Sequence, residues 1–457
     1  MTPLLAITLY MILQLGIGIW VSRRIKTESD YILAGRNLGY GLLTFSIFAT
    51  WFGAETIVGS AGRAYRDGMS FGSAEPFGYG LCLVLMGLVF AVPLWKRKLT
   101  TLADLYRERY SVGAERLAAI ILIPSSILWA GAQIRGFGYV ISTATTDING
   151  ELAIGIAAGL TIAYATFGGL LVDAINDVMQ GVILTVGLLI LFIAVVAHAG
   201  GVGALTHVLS DPARVHAMPH GESVLAIIER WAIPVGGSVI ATELVGRIIA
   251  AKSPAVAQRS AYFAATMYIA VGLIPVLIGL LGPQLAPSLS DPEQLLPYIA
   301  REILPVGFYA IFAGALIAAI LSTVDSTLLV SSALLSHNLI VPVLGVTDER
   351  RKVLIARAGV VAFGVIAYML ALHAEGVFVL VEQASAFGSA GTLVTVCFGL
   401  FTKWGGSRTA IATLAAGMVT YVTANLAGAE LPFLLSLAAS LLCYVAGATM
   451  ERRPALA

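Results

Sequence analysis

Residues 318–326 read Ala318-Ala319-Ile320-Leu321-Ser322-Thr323-Val324-Asp325-Ser326. The segment places a carboxylate and the hydroxyls of Ser322, Thr323 and Ser326 in a run otherwise as apolar as lipid. Mostly apolar residues flank it, from Val306 to Ile320 and from Leu328 to Leu335. An ionisable group at such depth is expensive and marks a functional site by default. On a helix, Ala319, Ser322, Thr323 and Ser326 recur at spacings of three and four and share one face. That face is a column of small residues and hard oxygen ligands, suited to a bare monovalent cation. Hydroxyls alone would serve equally as glue between packed helices, but Asp325 fits that role poorly.

Working outward, the whole chain is built like this segment. It is 58% hydrophobic and only 12% charged, with a mean hydropathy of +0.90; a soluble domain carries about 25% charged residues. A membrane span needs about 20 apolar residues. Thirteen stretches qualify, at roughly 3–22, 40–61, 72–95, 117–142, 150–169, 175–199, 224–248, 257–282, 305–338, 353–373, 376–401, 408–426 and 430–449. The first lacks a basic start, and Arg23 and Arg24 follow it where a cleavage site would need small residues, so it reads as a retained span. Loops are short, the longest external ones at about 200–222 and 283–303. The fold class predicted is all-α and polytopic.

Charge placement tests the count. With the N-terminus outside, all but six of the 27 basic residues fall on the cytoplasmic side, at span edges, in loops or in the C-terminal tail. Arg63, Arg66, Arg214 and Arg301 lie opposite, and Arg135 and Arg230 lie within spans. The asymmetry follows the positive-inside rule and puts the C-terminus in the cytoplasm. The net charge of +1 gives nucleic acid no footing. Cys82, Cys397 and Cys443 are far apart, within spans, and form neither a disulfide framework nor a metal motif.

Two spans carry breaks. The second holds Thr50-Trp51-Phe52-Gly53-Ala54-Glu55 and the seventh Pro234-Val235-Gly236-Gly237-Ser238. They are five spans apart, and interrupted spans at matching positions of two halves point to an inverted-repeat transporter and its binding site. The expected organisation is a leading helix and cytoplasmic loop at 1–39, a first repeat of five helices at 40–199, a second at 200–401, and two trailing helices with a tail at 402–457.

Several stretches together resemble the sodium:solute symporters, the family of sodium-coupled sugar, proline, pantothenate and sialic acid carriers. They are Tyr31-Ile32-Leu33-Ala34-Gly35-Arg36; Gly168-Gly169 with Asp177-Val178-Met179-Gln180-Gly181, where Asn176 replaces the usual threonine; Arg247-Ile248-Ile249-Ala250-Ala251-Lys252-Ser253 with Ala257-Gln258-Arg259; the Ala318–Ser326 segment; and Gly399-Leu400-Phe401. The resemblance implies a five-plus-five, LeuT-like core. It implies co-transported sodium held by backbone carbonyls of Ala49, Phe52 and Ala319 and hydroxyls of Ser322 and Thr323. An all-oxygen site suits a hard cation. It further implies a second cation site from Asp177, Asp325 and Ser326, together with Ser322. Asp325 stands where some members have hydroxyls, so this site would hold either a second sodium or a proton shared by close carboxylates.

On the substrate side, Glu55, Glu75, Arg135 and Glu382 are ionisable groups in the outer halves of spans, with Thr56, Gln133 and Gln383 as hydrogen-bonding neighbours. In the family the substrate lies at this depth. Glu55, Glu75 and Glu382 fall near positions that look like a sugar pocket, whereas Tyr268 stands where sugar carriers tend to have lysine. A guanidinium matches a carboxylate bidentately, so Arg135 either binds a carboxylated solute or pairs internally with Glu55 or Glu75. Three glutamates would instead suit a cationic solute.

The function expected is sodium-coupled import of a small polar solute, carboxylate-bearing, by alternating access. The alternatives are proton coupling, or a neutral sugar or cationic solute. The polar groups cluster rather than form rings, against a channel. The six histidines are scattered without zinc-site spacing, against an enzyme. Solute, sodium and lipid are the expected partners, with no nucleic acid and no required oligomer, in a bacterial inner membrane.

Overall fold

The bilayer core offers a peptide group no water, so a chain this apolar must satisfy its backbone within helices. The computed structural model describes residues 25–451 except 145–147, 168, 219, 220 and 222, together with residues 12, 16 and 20. The described residues are almost entirely helical, with only isolated bridges at Leu38–Ala251 and Met69–Val215. The expected span at 3–22, Gly168, and the tail arginines Arg452 and Arg453 lie outside the described residues or, for the span, almost entirely so.

In chain order the helices are α1 (Glu28–Leu33), α2 (Tyr40–Trp51), α3 (Glu55–Asp67), α4 (Phe77–Lys96), α5 (Leu102–Arg109), α6 (Val112–Thr143), α7 (Gly150–Thr166), α8 (Leu170–His198), α9 (Val202–Ser210) and α10 (Val224–Ile249). There follow α11 (Pro254–Leu285), α12 (Leu295–Ile303), α13 (Val306–Leu344), α14 (Glu349–His373), α15 (Val377–Phe401), α16 (Ser407–Leu426) and α17 (Pro432–Glu451). Ten of the described helices are long and apolar enough to cross a membrane, and the pair α2–α3, bent by 56°, makes an eleventh. α7 is a shorter apolar helix. Each span expected from 40–61 onward coincides with one of these helices, but the described residues do not reach the count of thirteen.

Much of the chemistry sits on a helix enclosed on every side. Every residue of α13 from Ala315 to Leu329 is buried, and a helix covered all round must lie among other helices. α6, α8 and α14 flank it, and α2 crosses it near the break. At the other extreme, only 28% of the most apolar stretch of α17 is buried, against 67% for α13. α16 and α17 pack on each other and on α15 at the edge of the bundle.

Both expected breaks are present. α2 ends at Phe52, whose φ of −94° and ψ of 68° leave the helical region. α10 widens into an i→i+5 turn at Ile233–Gly237 and is non-helical from Ser238 to Ala241. A third break, unseen in the 376–401 reading, divides α15 at Phe387–Gly388, where Gly388 takes φ +68°. Further i→i+5 turns occupy Glu55–Gly59, Met86–Phe90 and Leu334–Ile340; such turns gather at functional sites.

Candidate functional site

A continuous helix would bond the Thr50 carbonyl to the Ala54 amide. At the α2–α3 break both groups are released, and both find other partners. Thr323 Oγ1 on α13 lies 2.9 Å from the Thr50 carbonyl and 3.3 Å from that of Ala319. Gln133 on α6 accepts from the Ala54 amide at 2.6 Å and donates to Glu55 Oε2 at 2.7 Å. Gly53 leaves room for this: a Cβ there would stand 2.7 Å from Gln133 Oε1. The break is thus held from two sides, and its last turn carries Ala49 and Phe52, both fully buried.

Below it lies a polar knot. Ser322 Oγ donates to Asp177 Oδ1, and Ser46 Oγ to Asp177 Oδ2 at 2.6 Å. Ser326 Oγ lies 2.9 Å from Asp173 Oδ2 and 2.6 Å from the Ser322 carbonyl, with one proton to give. Arg247, only 1% exposed, sends Nη2 to Asp173 Oδ2 and to Ser326 Oγ, each at 2.5 Å, and lies 3.5 Å from Asp177. Its Nε reaches Ser46 Oγ at 3.0 Å. Asp325, on the same turn, has neither oxygen hydrogen-bonded and is 1% exposed. The knot therefore sets the carboxylates of Asp173 and Asp177 about one guanidinium, with the Asp325 carboxylate outside their hydrogen bonds. It is short of positive charge and rich in hard oxygen, which fits sodium as cargo. Of the expected ligands, the structure brings together Ser322, Thr323, Asp177 and Ser326 with the Ala319 carbonyl. It adds Ser46, Thr50, Asp173 and Arg247, and it leaves Asp325 apart from their hydrogen-bond network.

Above the break is an aromatic and acidic cage. Trp51 and Trp129 have ring centroids 5.6 Å apart, Tyr79 and Trp129 6.1 Å, Tyr79 and Tyr268 6.3 Å, and Phe52 and Tyr268 5.5 Å. Tyr268 Oη donates to Glu75 Oε1 at 2.5 Å and lies 2.5 Å from Thr56 Oγ1. Glu55 Oε1, Glu75 Oε2 and the indole nitrogens of Trp51 and Trp129 are buried without a hydrogen-bond partner. Glu55, Glu75, Tyr79 and Glu382 line a cavity of about 30 Å³ that Arg63 and Phe378 also border. Beyond it opens a vestibule of about 490 Å³, lined among others by Arg63, Glu75 and Arg230.

Two expected substrate residues stand elsewhere. Arg135 does not line the cage: its guanidinium donates to the Ala371 carbonyl at 3.0 Å and sits 5.5 Å from the Tyr139 ring. Neither of the internal pairings considered for it, with Glu55 or Glu75, is formed; Gln133 is Glu55's partner instead. Gln383 lines a separate surface cavity, which Glu382 also touches. Trp51, Tyr79, Trp129, Arg63 and Phe378 escaped the sequence reading, although Trp51 borders the break it identified.

The sequence profile of the sodium:solute symporter family matches residues 31–417. The high-affinity choline transporter 1 of Drosophila melanogaster is 26% identical over 402 residues, covering 83% of this chain and 64% of that protein. The sodium/pantothenate symporter of Escherichia coli K12 is 27% identical over 352 residues, covering 74% of this chain and 72% of its own. This chain thus spans about two-thirds of the length of the choline transporter it matches. Among solved structures, a substrate-bound, outward-open Na+-coupled sialic acid symporter superposes with a TM-score of 0.84 at 18% identity, covering 98% of this chain and 97% of that one. The fold is therefore that of the expected five-plus-five carriers, and an integral membrane protein with this profile match belongs to the sodium:solute symporter family.

Proposed function

We propose that the protein is a sodium-coupled symporter of a small organic cation bearing a methylated ammonium group. The cage is the observation that carries this reading: Glu55 and Glu75 have unpartnered carboxylate oxygens and border the small cavity together with Tyr79 and Phe378, and Trp51, Trp129 and Tyr268 pack behind them. Aromatic faces attract quaternary ammonium groups, by about 2 kcal/mol or more per ring when desolvated. The match to choline transporters supports the same chemistry. A carboxylated solute held by Arg135 loses its support, because that guanidinium is engaged elsewhere.

Coupling follows from chain connectivity. Sodium among the Ala49, Phe52 and Ala319 carbonyls and the Ser322 and Thr323 hydroxyls would fix the last turn of α2. Trp51 belongs to that turn, and Glu55 opens the next helix. Filling the cation site therefore sets two walls of the cage, so each ligand tightens the other's binding, typically by about 1–3 kcal/mol. Asp177, Ser326 and Asp325 extend the oxygen-rich path away from the cage, as a second cation site or an exit route. The vestibule faces outward, and the face carrying α5, with Arg107 and Arg109, lies in the cytoplasm of a bacterial cell. The test is uptake of radiolabelled choline into proteoliposomes. Saturable uptake that needs an inward sodium gradient supports the reading; uptake unchanged when potassium replaces sodium removes the coupling.

A further inference from the structure

Arg63 lies between the cage and the vestibule and lines both. Its guanidinium rests 4.2 Å from the centroid of the Phe378 ring. Among the described residues it makes no hydrogen bond or ion pair, so its planar fork of donors is unspent. An arginine so placed is a ready partner for a carboxylate, which it holds in two parallel hydrogen bonds. The cage behind it has the opposite character, with Glu55, Glu75 and Glu382 at the cavity wall. At about 30 Å³ the cavity has room for roughly one water, so no solute enters unless the Arg63–Phe378 stack shifts. A ligand with a negative end would draw Arg63 off Phe378 as its positive end entered the cavity beside Tyr79 and the glutamates.

We infer that the solute is a zwitterion, with its ammonium in the aromatic and acidic cage and its carboxylate on Arg63. This rests on the cation reading of the cage and adds the second pole. The polarity runs along the path of entry, from Arg63 at the mouth to Glu55 beside the helix break. Such a site discriminates against a plain cation, which would leave Arg63 facing a positive ligand. It also discriminates against a plain anion, which would meet the glutamates.

The experiment measures affinities of the purified full chain, in sodium, for three shape-matched probes. These are glycine betaine, with both poles; choline, with the ammonium and a hydroxyl; and 3,3-dimethylbutyrate, with the carboxylate and a neutral tert-butyl group. Glycine betaine is expected to bind at least about tenfold more tightly than choline. In Arg63→Gln that ratio should collapse towards one, while Arg63→Lys, which keeps the charge but loses the paired donors, should fall between that and the wild-type ratio. Because the readout is a ratio within one preparation, general loss of folded protein does not imitate it. If Arg63→Gln does not fold, the wild-type and Arg63→Lys ratios decide. Choline bound as tightly as betaine, or a ratio unaltered in Arg63→Gln, overturns the zwitterion and leaves the cation reading standing. Binding of 3,3-dimethylbutyrate as tight as that of betaine, or no binding of either ammonium compound, overturns the cation reading and the zwitterion with it.

Discussion

Thr323 gives its one hydroxyl proton towards a carbonyl that an unbroken helix would have kept for itself. Its loss affects both the break and the proposed cation site, because the same oxygens would coordinate sodium. Thr323→Ala and Ser322→Ala are each expected to raise the half-saturating sodium concentration about tenfold, since a ligand worth about 1–2 kcal/mol is lost. Sodium titration of solute binding measures this, and unchanged sodium dependence in both variants removes the site. Arg247 makes a different kind of contribution. Truncating it strands Asp173 and Asp177 in a buried knot, and breaking such a pair costs about 3–5 kcal/mol. Arg247→Ala should therefore unfold at markedly lower denaturant than wild type. Arg247→Ala with Asp173→Asn should recover part of the loss, and a double variant no more stable than the single one would show that the pair is not the cause.

The breaks were legible at the level of whole helices because they are written in composition: Gly53 beside Glu55, and Pro234 before Gly236-Gly237. Hydropathy located the helices for the same reason. Helix rotation was not legible, and Arg135 suffered from that. Residues two apart on a helix point about 200° from one another. With Gln133 turned to the break, Arg135 must face away, towards α14 and the Ala371 carbonyl. The Asp173–Arg247 pair was hidden because it joins α8 to α10 across a long stretch of sequence, and Arg247 resembled one more basic residue at a span edge. Asp173 did carry a signal, lying one turn before Asp177 on the same face of α8. The third break rests on Gly388, one glycine among many in membrane helices. Gln133 makes the element-scale prediction. Gln133→Ala leaves the Ala54 amide and a Glu55 oxygen buried and unpaired, which costs about 1–3 kcal/mol for each group left without a partner. Thermal unfolding should show the loss, together with weaker solute binding; full stability would mean that the break does not depend on this clamp.

Across the molecule, α13 buries 67% of its most apolar stretch, whereas α14 and α16 bury 33% and α17 28%, so those three form the more exposed edge of the described helices. The vestibule and the knot lie on opposite sides of one helix break, and under the proposed function the carrier opens to one side of the membrane at a time. A cysteine placed at Ala74, which lines both the vestibule and the inner cavity, should react with a membrane-impermeant thiol reagent in sodium alone. It should be protected when sodium and betaine are both present, and protection by betaine without sodium would contradict coupled closure. The central claim is that a sodium site and an ammonium cage share one broken helix. Thermal stability of the purified protein tests it most directly, with choline, glycine betaine, carboxylates lacking an ammonium group and simple hexoses, each in sodium and in potassium. A ligand that binds only the folded state stabilises it by mass action. The account predicts stabilisation by the ammonium compounds, in sodium and not in potassium. Stabilisation by the carboxylates or hexoses alone, or equal stabilisation in potassium, would contradict it.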